Sequence, residues 1–154
     1  MAEKALPVAP TGQPSAPDPA DLLARGISRL LAEMGYRALT EFRLRNGRRA
    51  DVAGLNNKGK VVIVELKRSL QDFRADRKWP EYLDYCDSFY FAAPRGFPND
   101  HLPADQGLIL ADRWGAAVIR AAAEQPALHA SRRREVTLRF ALAAAGRLRD
   151  HVDP

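Results

Sequence analysis

The feature that most restricts the fold of this chain is a set of charged residues inside two apolar, strand-like runs. Asp51 lies within residues 48–55, and Glu65 and Lys67 close the run VVIVELK at residues 61–67. A charge buried in a strand is costly unless it is paired or bound to a metal. Because side chains of a strand alternate between two faces, Glu65 and Lys67 share one face. The fold must therefore bring compensating groups to these positions.

Helix and turn signals around these runs predict further elements. A proline directly after Asp18 and apolar residues at helical spacing predict a first helix that ends at Gly35. The Asn46-Gly47 pair predicts a two-residue hairpin turn. Ser69 opens a second helix, and Pro80 interrupts it at the preceding tryptophan. The predicted strands cover residues 36–45, 48–55, 60–67, 88–93, 107–111 and 116–120, and the predicted last helix covers residues 132–149.

The order of these elements predicts an α/β fold with a mixed sheet flanked by helices. The order is α-β-β-β-α-β, followed by β-β-α. The third strand is apolar on both faces, which indicates a central position, and the fourth runs parallel to it through the helical crossover. We expect one domain over residues 18–150. Residues 1–17 carry four prolines among small and polar residues and are expected to form a disordered tail.

Composition limits the classes of protein and partner. The formal charge of +5 and the isoelectric point near 9.7 are compatible with a polyanionic partner such as DNA, although many basic proteins bind no polyanion. Cys86 is the single cysteine, so an intrachain disulfide is excluded and a reducing compartment is expected. The sequence has no apolar run of about eighteen residues, as a membrane-spanning helix requires, and no glycine-rich phosphate loop or zinc-ligand spacing. We expect a cytoplasmic protein.

Two carboxylates on adjacent predicted strands indicate a site for a hard metal ion. Mg²⁺ is usually bound by one or two carboxylates together with waters and phosphate oxygens. Asp51 and Glu65 would supply the carboxylates, and the backbone carbonyl of Leu66 a further oxygen. Lys67 would act on the attacking water as a general base or on the scissile phosphate as a positive clamp. We therefore predict that Asp51, Glu65 and Lys67 are catalytic residues of a phosphodiester-hydrolysing site that uses Mg²⁺ or Mn²⁺; the alternative is a buried salt bridge that only stabilises the sheet.

Other polar and aromatic residues near the motif have weaker assignments. Glu41 is interpreted as an exposed strand residue rather than a further metal ligand. Trp79, Tyr82 and Tyr85 are interpreted as core residues rather than base-stacking groups. Basic residues from several elements flank the motif, which favours phosphate contacts over an ordinary solvated surface. They are Arg48, Arg49, Arg68, Arg74, Arg77 and Lys78, together with Lys58 and Lys60.

These residues also carry a family resemblance. Asp51, a gap of thirteen residues and Glu65-Leu66-Lys67 resemble the D-x(n)-E-x-K signature of restriction-endonuclease-like nucleases, the PD-(D/E)XK superfamily. The chain further resembles MmcB-type DNA repair proteins, and the stretches concerned are residues 40–42, 47–52, 65–67 and 72–80. The resemblance implies a restriction-endonuclease-like core and a metal-dependent deoxyribonuclease in DNA repair. It implies DNA, branched or damaged, as the partner, allows a homodimer or a repair-protein partner, and places the protein at a bacterial nucleoid.

The resemblance has two local limits and leaves two alternatives open. Many superfamily members carry an acid on the first helix, whereas Asp21 and Glu33 are the acids near that position here. Lys78 and Tyr82 are similar to a Q-x-x-x-Y element, which implies that both contact backbone phosphate. The first alternative is a non-catalytic DNA-binding module that keeps the nuclease-like fold and partners a repair enzyme. The second is a scaffold that binds only protein.

Overall fold

One six-stranded sheet organises the chain, for which the computed structural model describes residues 15–154. The helices are α1 (Pro19–Glu33), α2 (Leu70–Ala75) and α3 (Ala130–Val152), with 3-10 helices at Trp79–Tyr85 and Asn99–His101. The strands are β1 (Tyr36–Arg43), β2 (Arg49–Asn56), β3 (Val61–Leu66), β4 (Ser88–Pro94), β5 (Gly107–Ala111) and β6 (Ala116–Arg120). The predicted tail falls mostly outside the described residues.

The strands lie side by side in chain order. Neighbours are antiparallel from β1 to β3, parallel from β3 to β5, and antiparallel again between β5 and β6. All six residues of β3 are buried. The predicted α-β-β-β-α-β order, the mixed sheet, the central third strand and its parallel crossover to the fourth strand are therefore confirmed.

Each face of the sheet is covered by different helices. Ile27 and Leu31 of α1 are fully buried against one face, and burying a side chain of this size contributes about 1.5–3 kcal/mol. The opposite face packs against α2, the Trp79–Tyr85 helix and the first half of α3. There the indole of Trp79 stacks on Phe89, with ring centroids 5.7 Å apart. The prediction that Trp79 belongs to the core is confirmed.

The first hairpin has a different loop from the predicted one. The N–H of Leu44 donates to the carbonyl of Arg48 at 2.7 Å, so the loop comprises the three residues 45–47. Gly47 has a φ of +87°, the left-handed conformation that such loops require at their last residue. The hairpin itself is confirmed, but the two-residue turn is wrong.

Two helices also depart from their predicted extents. The second helix ends at Ala75 rather than continuing to Trp79, because Asp76 leaves the helical conformation with a ψ of 105°. In α3, Leu138 and Leu148 were predicted to face inward, but 59% and 64% of their surfaces are exposed. Leu138 lies two residues from both Val136 and Phe140, the buried residues of α3, and therefore faces away from the sheet, whereas Leu148 belongs to the segment 145–152, in which every residue is exposed. In residues 15–154 no helix is long and apolar enough to cross a membrane.

Candidate active site at the end of β3

Asp51 and Glu65 lie where β2 and β3 separate. Backbone pairing between the two strands stops at Val52 and Val64. Beyond this point the carboxylate of Asp51 replaces a backbone acceptor, because its Oδ2 accepts the N–H of Leu66 at 2.8 Å. A side-chain oxygen thus holds the end of β3, and the carboxylate of Asp51 is brought beside that of Glu65.

Glu65 is a buried carboxylate without its full set of partners. The residue is 9% exposed, and its Oε2 has no hydrogen-bond partner among the described residues. Burial, followed by the neighbouring Asp51 carboxylate, raises the pKa of Glu65 to about 9. An unsatisfied buried oxygen is costly and calls for a proton or a cation beside it. The donor set is of the hard-oxygen type that suits Mg²⁺ or Mn²⁺.

A cavity of about 250 Å³ opens next to these carboxylates, between α1, β1, β2 and the start of α2. Its wall is strongly acidic. It contains the carboxylates of Asp21, Glu41, Asp51, Glu65 and Asp72 and the basic side chains of Lys67 and Arg68. Over residues 15–154, however, no three His, Cys, Asp or Glu side chains form a ready-made metal cluster. Asp51 and Glu65, the predicted carboxylate ligands, both line this cavity, and so does Leu66, the predicted source of a backbone oxygen.

Asp21 belongs to the cavity wall although the sequence did not assign it there. It lies one helical turn before Ala24, which lines the same cavity and is buried. The spacing of these two residues was the signal that could have placed Asp21 on the inner side of α1. The cavity wall thus includes an acid from the first helix.

Lys67 does not pair with Glu65. Its Nζ donates to Oδ2 of Asp76 at 2.6 Å, and 4% of its side chain is exposed. Burial alone would raise the pKa of Asp76, but the hydrogen bonds from Lys67 and from the N–H of Lys78 outweigh it and lower that pKa. The sequence analysis missed Asp76 as a partner of Lys67, since nothing in the spacing of the two residues indicates the contact.

A second cavity of about 320 Å³ lies on the α2 side of the same residues. Glu65, Lys67 and Asp72 line both cavities, so the two openings meet at these side chains. Arg48 and Lys78 line the second cavity, whereas Arg68 lines the first. A bound polyanion therefore has basic side chains available on two sides of the carboxylates.

The predicted phosphate-binding residues occupy exposed positions with weak or no internal pairing. Arg48 pairs with Glu81 at 2.7 Å, Arg49 lies 3.9 Å from Glu41, and Arg68 lies 3.4 Å from Asp18. Such surface pairs are worth about 0–1 kcal/mol, so a phosphate competes with them readily. The side chains of three others are exposed and make no ion pair within residues 15–154. These are Arg74, Arg77 and Lys78.

Tyr82 is placed differently from these basic residues. It is buried, and its hydroxyl donates to the backbone carbonyl of Arg49 at 2.9 Å. Burial and the nearby carboxylates of Glu65 and Asp51 raise its pKa, so the proton stays on the oxygen. The predicted contact between Tyr82 and phosphate stays a prediction, but this proton is already donated to the backbone. In the structure Tyr82 supports the β2 segment that precedes Asp51.

Glu41 marks a strained point of β1 opposite Asp51. Its φ is +50°, a left-handed conformation that costs an ordinary residue about 1–2 kcal/mol. Arg147 of α3 donates to its carbonyl at 3.0 Å and thereby holds this conformation. The side chain is 66% exposed, which agrees with the prediction of an exposed strand residue.

Comparisons with known proteins give the family and a close structural counterpart. A solved structure of a protein of unknown function from Silicibacter pomeroyi matches with a TM-score of 0.85 and 42% identity, over 89% of this chain and 93% of that chain. The crystal structure of a repair endonuclease from Pyrococcus abyssi matches with a TM-score of 0.37 and 21% identity, over 56% of this chain and 45% of that chain. No curated protein matches.

The family match covers nearly the whole chain. A family model described as DNA repair protein MmcB-like matches residues 8–154. This range contains both strands of the candidate site and every basic residue assigned above. The chain therefore belongs to the MmcB-like family of DNA repair proteins.

Proposed function

We propose that this protein is a metal-dependent nuclease that hydrolyses phosphodiester bonds of DNA during repair. The observation that carries the proposal is Glu65, a buried carboxylate beside Asp51 whose Oε2 lacks a partner. A purely structural salt bridge explains the site poorly, because the ammonium of Lys67 is paired with Asp76 instead of Glu65. Neither carboxylate forms a salt bridge within residues 15–154, which leaves both free to bind a cation.

The residues of the site divide into two roles. Asp51 and Glu65, with the carbonyl of Leu66, would hold Mg²⁺ or Mn²⁺. Such an ion, when bound, polarises a phosphoryl oxygen and lowers the pKa of bound water. Lys67 places its positive charge beside the carboxylates, where it would stabilise the charge that develops on phosphate. Asp76 fixes the position of that ammonium through the 2.6 Å contact.

DNA binding is proposed for the basic residues around the two cavities. Arg48, Arg49 and Arg68 would exchange their surface ion pairs for phosphates. Arg74, Arg77 and Lys78 are exposed and would bind phosphate directly. Membership in a DNA repair family and the formal charge of +5 both support DNA as the partner.

A cleavage assay tests this function. Labelled single-stranded, duplex, flapped and four-way DNA is incubated with the protein and Mg²⁺ or Mn²⁺, with EDTA as the metal-free control. We expect cleavage of at least one substrate by wild type and its loss in Asp51→Asn, because this variant removes the charge and keeps the shape of a carboxylate ligand. Asp150→Asn is the matched control, since Asp150 is exposed on α3 and pairs with the equally exposed Arg149.

One other function has a specific observation in its favour. This function is a non-catalytic DNA-binding module. Such a module needs no metal site, and the described residues contain no ready-made cluster of three metal ligands. If wild type binds DNA and leaves every substrate intact with both ions, the nuclease proposal fails and this module is the correct function. If wild type neither binds nor cleaves DNA, both functions fail and a protein scaffold remains.

A further inference from the structure

The turn between β5 and β6 presents an exposed aromatic residue that the proposed chemistry does not use. Trp114 is 73% exposed. The guanidinium of Arg113 lies over its ring, with Cζ 4.6 Å from the ring centroid. An exposed indole with an arginine beside it combines a stacking surface with a positive charge.

The turn that carries Trp114 is fixed by several hydrogen bonds. Oδ1 of Asp112 accepts the N–H groups of Trp114 and Gly115 at 2.8 and 2.9 Å. Nη1 of Arg29, on α1, donates to the carbonyls of Arg113 and Trp114 at 3.0 and 3.1 Å. Because the backbone is already ordered, a ligand of Trp114 has little conformational entropy to remove from the turn.

The packing of α1 against this turn is unusually close. A Cβ added to Gly26 would lie 2.3 Å from the carbonyl oxygen of Asp112 and 2.8 Å from that of Gly115. Only a glycine on α1 permits this backbone-to-backbone contact. The helix and the turn are therefore one rigid unit, and the indole has a fixed position relative to α1.

That position is on the same rim of the sheet as the candidate active site. Strands β3, β4 and β5 are parallel, so their carboxyl ends meet at one edge. In register, Leu66 is level with Ala92, and Pro94 is level with Ala111, the residue before the turn. Two strand spacings, about 10 Å, separate β3 from β5 laterally, and Ala111 lies three residues, about 10 Å, beyond the level of Glu65. The first two turns of α1 line the acidic cavity, and the next turn contacts the β5–β6 turn.

The charges beside Trp114 indicate the chemistry of its ligand. Arg29, Arg95 and Arg113 surround the turn. The one carboxylate in the turn, Asp112, is neutralised by Nε of Arg95 at 3.1 Å and by the backbone N–H groups described above. An aromatic face among arginines is the combination by which proteins bind single-stranded nucleic acid, since each base offers a π-face and each nucleotide a phosphate.

We propose that Trp114 stacks on an unpaired base of DNA bound at the candidate active site, while Arg95 and Arg113 bind the flanking phosphates. The inference rests on the DNA binding assigned under the proposed function and adds a substrate class to it: DNA with a single-stranded segment beside the cleaved bond. The turn therefore lies at least about 14 Å from Glu65, which corresponds to about four base steps of 3.4 Å. The stacked base lies at least that far from the scissile phosphate.

Intrinsic fluorescence gives a direct test, because the chain has two tryptophans and Trp79 is packed in the core. In the variant Trp79→Phe, emission comes from Trp114 alone. With Ca²⁺ in place of Mg²⁺, to limit cleavage, a single-stranded oligonucleotide should quench this emission and a blunt duplex of the same length should quench it much less. Thermal unfolding checks that Trp79→Phe keeps the fold.

Affinity measurements on otherwise unmodified protein provide the second arm. Trp114→Ala should weaken binding of the single strand by about five- to a hundredfold and change duplex affinity by less than about twofold. Trp114→Tyr should restore most of the affinity, because it keeps an aromatic face.

Three results would overturn the inference. If wild type binds the single strand but Trp114→Ala binds it equally well, stacking is excluded and the proposed DNA-binding function stands. If wild type binds no DNA at all, the inference fails together with the proposed function. If Trp114→Ala changes only the sedimentation behaviour of the protein, Trp114 belongs to a protein interface that includes the exposed Val118 and Ile119 of β6.

Discussion

Glu65 shows how a single buried group can lower the stability of a fold for the sake of a site. Its pKa of about 9 lies well above the ordinary value of 4.5. Between these values the folded protein holds a proton that the unfolded chain releases, so the contribution of Glu65 to stability is highest below pH 4.5 and falls as the pH rises toward 9. Replacing Glu65 by a residue that does not ionise should therefore stabilise the metal-free protein.

Glu65→Gln is the variant that tests this cost. In EDTA at pH 8 we expect it to be more stable than wild type by about 1–2 kcal/mol, with a smaller difference at pH 5, where retaining the proton costs wild type little. Thermal or urea unfolding at the two pH values measures the difference. Glu124→Gln, at an exposed position, serves as the control and should change nothing. Equal stabilities of Glu65→Gln and wild type at pH 8 would show that the buried carboxylate is satisfied.

Asp76 has a positioning role that follows from its contact with Lys67. Asp76→Ala removes the partner of an almost fully buried ammonium and frees Lys67 from its fixed position. We expect the cleavage rate at saturating DNA to fall by at least about tenfold, while DNA affinity changes little. Asp76→Glu should recover part of the rate, because it keeps the carboxylate. A loss of affinity with an unchanged rate would place Asp76 among the DNA-binding groups instead.

At the scale of secondary-structure elements, Asp87 links α3 to the beginning of the central strand β3. Its carboxylate accepts the N–H of Val61 at 2.8 Å and two bonds from Arg133 at 2.7 and 2.8 Å. Burial would raise the pKa of Asp87, but these bonds, led by those from Arg133, lower it to about 2. The stabilisation is complete above the ordinary pKa of 3.8 and is lost as the pH falls toward 2.

Asp87→Ala should lower the free energy of unfolding by about 2–4 kcal/mol at neutral pH, since it leaves a half-buried arginine without its partner. Urea unfolding at pH 7 measures the loss, and the difference from wild type should shrink at pH 2–3. Asp150→Ala removes an exposed carboxylate from α3, the helix that carries Arg133, and should change stability by less than about 0.5 kcal/mol. A similar effect of both substitutions would contradict a specific role of Asp87.

The elements themselves were predictable to the extent that local sequence patterns determine them. The apolar run of β3 and the turn residues around it were enough to predict the central strand and the order of its neighbours. The end of α2 was not predictable, because it depends on the tertiary contact between Asp76 and Lys67. The exposed Leu138 and Leu148 were misassigned because helical spacing alone shows neither which face of α3 meets the sheet nor how far along the helix that contact extends.

At the scale of the whole molecule, the candidate site combines what sequence shows with what only the fold shows. Asp51, Glu65 and Lys67 were identified because charges inside apolar strands are conspicuous. Asp21 and Trp114 were not assigned, since α1 and the β5–β6 turn reach the rim of the sheet only through packing. Long-range placement of this kind leaves little trace in the local pattern of residues.

Binding of DNA by the basic residues around the two cavities should depend measurably on salt concentration. If four to six phosphates are neutralised, the logarithm of affinity should fall with the logarithm of salt concentration at a slope of about −3 to −5. Glu substitutions at both Arg48 and Arg49 should weaken binding of all DNA sequences alike and make the slope less steep. Fluorescence anisotropy at several salt concentrations measures both effects, with Arg149→Glu on the exposed end of α3 as a control for reversal of a charge away from the site. A flat salt response of wild type would favour the protein-scaffold alternative.

The most direct test of a catalytic site at the end of β3 is the single-turnover cleavage rate of Lys67→Ala compared with wild type in Mg²⁺ or Mn²⁺. The ammonium of Lys67 is expected to stabilise charge that develops only in the transition state, so its loss should lower the rate much more than the affinity. We predict a rate at least about a hundredfold below wild type and a much smaller change in DNA affinity. Cleavage by Lys67→Ala at the wild-type rate, or no cleavage by wild type of any DNA that it binds, would contradict the catalytic assignment.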